Sequence, residues 1–386
     1  MDNYFAVTAP GLEPFAAQEL TTLGLLPDSG PELATQAGVA FKGDLPALYR
    51  ANLHLRTASR ILARLGSFFY ATTPVELQKR VSRLPWERCL APGQPVALRV
   101  TCHQSRLYNT EVVARLVSAG LEERLGKASP VVKFDEETDG HPPQLVLVRL
   151  VEDKCTVSVD SSGALLYKRG YRLAVAKAPL RETLAAALLM ASGWDPSAAL
   201  LDPFCGSGTI PIEAALMQHG IPPGLNRRFA FMDWPGYQQS AFSSQLTAIR
   251  DLQSEISNQK SAISILASDR DAGAIQMAHA NAERAGVEDV IEFKCQAISA
   301  IMPPVGLGWV VTNPPYGVRI NEGKDLRNLY AQFGNVLRRQ CPGWNVAVLC
   351  NDPVLLGQMQ MQLDSSLGFI NGGIGVRVAK GVVPAI

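Results

Sequence analysis

Apolar and polar residues recur along this chain in two registers, and the switches between them mark its elements. Tyr4 to Thr8 alternates with a period of two and predicts a strand, whereas Leu12, Phe15, Ala16, Leu20 and Leu23 fall at helical spacing and predict a helix over 12–23. Val39 to Phe41 and then Leu45 to Asn52 repeat the strand-helix order, so residues 1–63 read as a small α/β unit. From Arg64 the pattern predicts a strand over 65–70, a helix over 74–84, a strand over 95–102 and a long helix over 109–126. A hairpin formed by 145–151 and 156–160 closes a second α/β module, 64–165, and a linker, 166–179, follows.

The second half changes character. A helix opens around Leu180 and stops at Gly193, and short apolar runs then alternate with helices. The strands are expected over 199–202, 263–268, 290–295, 309–312 and 345–350, with a last pair around Phe369 and 374–379. Such alternation gives a doubly wound, Rossmann-like α/β domain over 180–386 that ends in an antiparallel hairpin. The segment 220–260 interrupts it and carries Arg227-Arg228-Phe229 and Trp234-Pro235-Gly236-Tyr237.

Composition and charge narrow the partner. The chain has 386 residues, 47% of them hydrophobic, and a net charge of +1, as a soluble multidomain protein does. Residues 50–133 nevertheless hold 14 Lys or Arg against 5 Asp or Glu, while 181–386 hold 15 against 17. The excess suits a polyanion, and binding charge and chemistry are expected in different parts of the chain. Lys79, Arg80, Arg83 and Arg106 are candidate nucleic-acid contacts. So are Lys168, Arg169, Tyr171 and Arg172, in a tract that interleaves three basic residues with two tyrosines; ordinary surface charge on a linker is the competing reading. The 7 cysteines form no C-x-x-C pair, so a reducing cytoplasm is expected and a zinc site is not. Met1-Asp2-Asn3-Tyr4 lacks the basic start of a signal peptide, and the apolar helix candidate at 184–194 is too short to span a bilayer.

Two stretches carry chemistry. Trp309 to Thr312 reads as a buried strand stopped by Asn313-Pro314-Pro315-Tyr316, at the carboxyl edge where open α/β sheets keep their sites. An exocyclic amine on a nucleobase has its lone pair delocalised into the ring. The Asn313 amide oxygen and the Pro314 carbonyl can accept its two hydrogens and favour a pyramidal, nucleophilic nitrogen, while Tyr316 stacks on the base, worth roughly 1–3 kcal/mol. Upstream, Asp202-Pro203-Phe204-Cys205-Gly206-Ser207-Gly208-Thr209 joins a strand to a helix through a glycine turn that admits a ligand close to the backbone. Asp269, ending the second strand, can accept both ribose hydroxyls of a nucleoside, and Asp271 can cap the next helix.

Together, D-P-F-C-G-S-G-T-I-P-I-E-A-A and N-P-P-Y-G-V-R, with L-Y-K-R-G-Y-R and A-P-L-R-E-T-L-A, resemble the THUMP-containing, class I S-adenosylmethionine (SAM)-dependent RNA guanine-N2 methyltransferases. The pattern over 64–165 is similar to a THUMP RNA-binding domain, preceded by a ferredoxin-like unit. The resemblance implies SAM as methyl donor, with Asp202, Phe204, Gly206, Gly208 and Asp269 as its contacts, Cys205 in the turn between them, and Arg181 near its methionine end. Asn313, Pro314 and Tyr316 then serve the base. Gln296 stands where this superfamily often has an acid on the adenine amine; its carbonyl could still accept one hydrogen bond. The expected activity is methylation of a guanosine N2 in RNA, 23S ribosomal RNA first, by a cytoplasmic monomer without a metal. A transfer RNA guanine-N2 methyltransferase, a DNA adenine-N6 methyltransferase and a non-catalytic RNA-binding assembly factor stay open. The insertion at 220–260 is expected to border the base pocket.

Overall fold

The computed structural model describes residues 1–26, 34–35, 37–135, 143–172, 180–257, 264–316, 325–371 and 373–384. The chain divides into two compact units. The first comprises Met1–Thr8, Ala16–Leu166 and Arg227–Leu246, and the second Ala9–Phe15, Tyr167–Asn226 and Thr247–Ile386.

The first unit is built on one sheet with the order β2-β3-β1-β4-β8-β7-β6 and β5 beside β8. Its strands are β1 (Asp2–Thr8), β2 (Ala34–Thr35), β3 (Gly38–Gly43), β4 (Ala58–Arg64), β5 (Phe69–Tyr70), β6 (Val96–His103), β7 (Gln144–Val151) and β8 (Lys154–Asp160). Four helices accompany them: α1 (Glu13–Thr22), α2 (Leu45–His54), α3 (Pro74–Val81) and α4 (Thr110–Leu125). Thr73 and Glu76 form a capping box at α3, with Pro74 in the first turn, and Asn109 caps α4 by accepting from the Glu111 and Val112 amides. The strand expected over 65–70 lies instead at Ala58–Arg64, leaving only Phe69–Tyr70 beyond it. Arg60 hides it from a hydropathy pattern, because that arginine is buried, 4% exposed, in an ion pair with the fully buried Asp160. The same strand β4 pairs with β1 on one side and β8 on the other. Residues 1–63 and 64–165 therefore share a continuous sheet.

Part of the expected insertion belongs to this unit as well. Phe229, Phe231, Trp234 and Phe242 are buried, Phe231 stacks on Tyr49 of α2 at 4.6 Å, and the Trp234 indole donates to Gln144 Oε1 at 2.7 Å. Each buried ring contributes roughly 1.5–3 kcal/mol. The aromatic side chains of 227–246, within the stretch expected to border the base pocket, are core of the first unit.

The second unit holds a sheet of order β11-β10-β9-β12-β13-β15-β14. The strands are β9 (Ala199–Asp202), β10 (Ile265–Asp269), β11 (Ile291–Cys295), β12 (Gly308–Thr312), β13 (Asn345–Cys350), β14 (Asp364–Asn371) and β15 (Ile374–Val382). The first five are parallel, and β15 closes the sheet antiparallel to β13 with β14 as its hairpin partner. Helices α5 (Glu182–Ser192), α6 (Thr209–Gln218), α7 (Gln239–Ser257), α8 (Ala272–Ala285), α9 (Arg327–Gln340) and α10 (Pro353–Gln358) complete the chain, α7 beginning in the first unit. α5 is buried along nearly its whole length, from Glu182 to Ala191, and ends at Gly193 in the left-handed conformation. Strand order reverses between β9 and β12, so the crevice where such folds hold ligands opens at the carboxyl ends of those two strands.

Candidate active site at the carboxyl ends of the parallel strands

Each of the five parallel strands ends in a buried polar side-chain atom with no hydrogen-bond partner among the described residues. These atoms are Asp202 Oδ2 at β9, Ser268 Oγ at β10, Gln296 Nε2 just past β11, Asn313 Oδ1 just past β12 and Asn351 Oδ1 just past β13. An unsatisfied buried polar atom costs about 1–3 kcal/mol, and folded chains keep few of them. Five at one edge of one sheet make that edge the candidate ligand site. Asp202, Gln296 and Asn313 were legible in the sequence. Ser268 and Asn351 were missed, although each stands at the end of an expected strand and that position was the available signal.

The strand ends are tied together. Thr312 donates its hydroxyl to Asp202 Oδ1 at 2.6 Å, which also accepts the Phe204 amide at 3.2 Å, so the residue before Asn313 is bonded directly to the start of the glycine turn. Beyond Asn313, the Tyr330 hydroxyl donates to the Pro315 carbonyl at 3.3 Å and steadies the proline pair. Pro314 is buried. Tyr316 is half-buried against the core, with Asn371 donating to its hydroxyl at 3.3 Å, and burial pushes that hydroxyl's pKa upward.

The glycine turn is clasped from the next strand. Asp269 accepts the Gly206 amide on Oδ2 and the Asp271 amide on Oδ1, both at 3.0 Å. A carboxylate oxygen has a second lone pair, so both retain capacity for ribose hydroxyls. Gly206 has φ of 52°, and a Cβ built there meets nothing within 4 Å, so the turn faces open space. Gly208 has φ of 85°, and its Cβ would stand 3.0 Å from the Ala278 Cβ; the helix packs too close for a side chain. The Cys205 amide donates to the Ser268 carbonyl, and Phe204 meets Phe333 edge-on at 5.2 Å. Asp271 caps α8, as expected, accepting from the Gly273 and Ala274 amides. Gln296 donates its amide to the Asp269 carbonyl at 2.9 Å, but its unpartnered atom is the side-chain nitrogen. A side-chain amide presents its nitrogen or, turned over, its oxygen, so this position can serve either a ring nitrogen or the amine of an adenine.

The tract Tyr167 to Arg172 is corrected more strongly. Arg169 pairs with Glu213 of α6, with 2% and 0% of the two side chains exposed, and the Tyr171 hydroxyl donates to the same carboxylate at 3.1 Å. Arg172 pairs with Glu182 at 2.9 Å and reaches the Leu180 carbonyl and the Thr209 hydroxyl. Arg284 donates to the Tyr171 carbonyl at 2.7 Å and to Asn281, whose amide donates in turn to the Ser207 carbonyl at 3.0 Å. Arg169, Tyr171 and Arg172 are thus packed inside the second unit, bracing the glycine turn from behind, and are not placed to touch nucleic acid. Burial outweighed composition because their acids come from α5 and α6. Lys168 is half-buried. Arg181 is exposed at the start of α5, with its guanidinium 4.6 Å from the centre of the Tyr167 ring. In the first unit Lys79, Arg80, Arg83 and Arg106 are all exposed, Arg106 pairing with Asp153 at 3.9 Å.

Burial pushes the pKa of Asp202 up from 3.8 to about 7, against the pull of its bonds from Thr312 and Phe204. Its native form therefore keeps a proton that the unfolded chain releases near pH 4, so its contribution to stability is lost as pH rises from about 4 to about 7 and is level above that. Glu182, pushed up to about 7 by burial, acts in the same direction. Urea unfolding at pH 5 and pH 8 is expected to show a smaller fall in stability for Asp202→Asn than for wild type, the difference being on the order of 2–3 kcal/mol. Equal falls would place the titration elsewhere.

Residues 169–380 match the family described as RMKL-like, methyltransferase domain, and residues 3–62 match the RlmL ferredoxin-like domain. A SAM-dependent methyltransferase fold is what the sheet and its glycine turn define, and the chain belongs to the RMKL-like methyltransferase family. It is 35% identical over 97% of its length to a ribosomal RNA large subunit methyltransferase K/L of Psychromonas ingrahamii, covering 49% of that protein. It spans about half the length of the K/L relatives it matches. Over 98% of its length it is 33% identical to "Putative RNA methyltransferase slr0064" of Synechocystis, covering 96% of it. The crystal structure of SMU.472 complexed with SAH superposes with a TM-score of 0.84 and 29% identity, over 100% of this chain and 99% of that one. Among the described residues no helix is long and apolar enough to cross a membrane, and no group of three His, Cys, Asp or Glu side chains could hold a metal ion.

Proposed function

We propose that the chain methylates the exocyclic N2 amine of a guanosine in RNA, with 23S ribosomal RNA as the substrate and SAM as the donor. The observation that carries this is the unpartnered Asn313 Oδ1 at the end of β12, in a row of five such atoms. Family membership and the ribosomal RNA methyltransferase relatives support it. When bound, SAM supplies a methyl group on a sulfonium that departs as a neutral thioether.

The chain's own residues supply position and polarity. Asp269 takes the ribose hydroxyls on its remaining lone pairs, Gln296 donates to the adenine ring, and the Gly206 and Gly208 turn lets the backbone approach. Asp202 Oδ2 is the acceptor for the donor's ammonium. On the substrate side Asn313 Oδ1 and the Pro314 carbonyl accept the two amine hydrogens, and Tyr316 stacks on the guanine, which must be unpaired or flipped out to arrive. A new N–C bond forms as the C–S bond breaks, and the extra proton leaves the nitrogen for solvent. Alignment of this kind can contribute roughly 7–11 kcal/mol. With methyl-labelled SAM and separate pools of unmodified ribosomal RNA, transfer RNA and DNA, label is expected in ribosomal RNA. Label confined to DNA would overturn the RNA reading, and SAM binding without label in any pool would favour a non-catalytic RNA-binding factor.

A further inference from the structure

The first unit carries a second basic surface that the sequence did not single out. In β8, Lys154, Thr156 and Ser158 share one face of the sheet. Register places Tyr70 of β5 and Val151 opposite Lys154, Arg149 of β7 opposite Thr156, and Arg64 of β4 opposite Ser158. Arg149 and Lys154 are exposed, as are Thr101 and His103, which project from β6 at the same parity. Phe68 and Tyr70 are 51% and 61% exposed and meet edge-on at 6.0 Å. The Lys154 ammonium lies 3.7 Å from the centre of the Phe68 ring, and the Arg64 guanidinium 4.8 Å from the centre of Phe5.

Charge on this face lacks compensation from its own strands. Between them β4 to β8 hold one acid, Asp160, and it is buried with Arg60. In the β7–β8 turn, Asp153 accepts the Arg106 amide and pairs with its side chain, leaving Glu152 as the exposed acid there. Burial, and then the charge of Arg149, lower the pKa of the half-buried Arg64, so two like charges face one another. A phosphate between them would relieve that repulsion.

We propose that this sheet face is a binding platform for an unpaired RNA strand, Arg64 and Arg149 gripping the backbone while Phe68 and Tyr70 stack on bases beside Lys154. Exposed aromatic rings next to cations fit splayed single-stranded bases, whereas a duplex offers phosphates alone. The inference rests on the RNA reading of the substrate and adds where, and in what form, that RNA is held.

The test is fluorescence anisotropy with a labelled single-stranded RNA of about 20 nucleotides, and with the same RNA as a duplex, across a salt series. Wild type is expected to prefer the single strand. Arg149→Glu and Tyr70→Ala, both at exposed positions, are each expected to weaken single-strand binding about tenfold, and Arg149→Glu to reduce the salt slope by about 0.7. SAM affinity measured by calorimetry, and the urea unfolding curve, are both expected to match wild type in the two variants, which keeps a loss of RNA binding apart from a loss of folding. Wild-type RNA affinity in both variants, or loss confined to a Lys79, Arg80 and Arg83 triple replacement by serine, would overturn the platform while leaving the RNA reading intact. A wild-type chain that binds single-stranded DNA and not RNA would remove that reading, and the platform with it.

Discussion

Replacing Asn313 by alanine is expected to lower the rate of methyl transfer by about 10³-fold while SAM affinity changes less than about threefold. The size follows from deleting one preorganised group that acts on charge developing at the reacting atom, which typically costs 10²–10³ in rate. Asn313 Oδ1 has no hydrogen-bond partner among the described residues, and Thr312 still anchors the loop to Asp202. Stability should therefore hold while chemistry fails. Single-turnover kinetics with saturating SAM, alongside a SAM titration, separates the two. Parallel loss of rate and SAM affinity would mean that Asn313 serves the cofactor pocket, and the division between a cofactor side on β9 to β11 and a base side on β12 would be wrong.

The second large effect is structural. Arg169→Met removes the cation paired with the buried Glu213 carboxylate, and breaking such a pair costs about 3–5 kcal/mol. Against a total stability of about 5–15 kcal/mol that is a severe loss, visible as a large drop in the urea midpoint. Exchanging both partners for apolar residues, Arg169→Met with Glu213→Leu, should recover most of it, because neither charge is then left alone in the interior. If the single replacement is silent, Arg169 is not the buried counter-ion described above. A loss with full retention of RNA affinity per folded molecule would further separate this tract from nucleic-acid contact.

What could be read in the sequence was what is local. The strand-turn-helix around Gly206 and Gly208, the acid at 269 and the Asn-Pro-Pro-Tyr stop are short, and each is recognisable from residues adjacent in sequence. Their places at the strand ends follow from pattern alone. The misreadings all involve partners distant in sequence. Arg60 hid a strand because Asp160 neutralises it from β8, and Arg169 and Arg172 look like surface charge until α5 and α6 bring Glu182 and Glu213 to them. Trp234 and its aromatic neighbours read as an interruption of the second half, and Tyr49 and Gln144 of the first unit give them a core. The platform residues escaped notice for a related reason. Arg64, Tyr70, Arg149 and Lys154 lie on four separate stretches of sequence, and strand register is what gathers them onto one face.

The measurement that bears most directly on the central claim is chromatography and mass spectrometry of nucleosides from ribosomal RNA methylated by the purified chain. A trideuteriomethyl donor would mark the product. One labelled species is expected, N2-methylguanosine, absent when Asn313→Ala replaces wild type. Label on a ring nitrogen, on a ribose hydroxyl or on adenine N6 would contradict it, since the first two do not use the amine acceptors at Asn313 and Pro314 and the third gives them a different base.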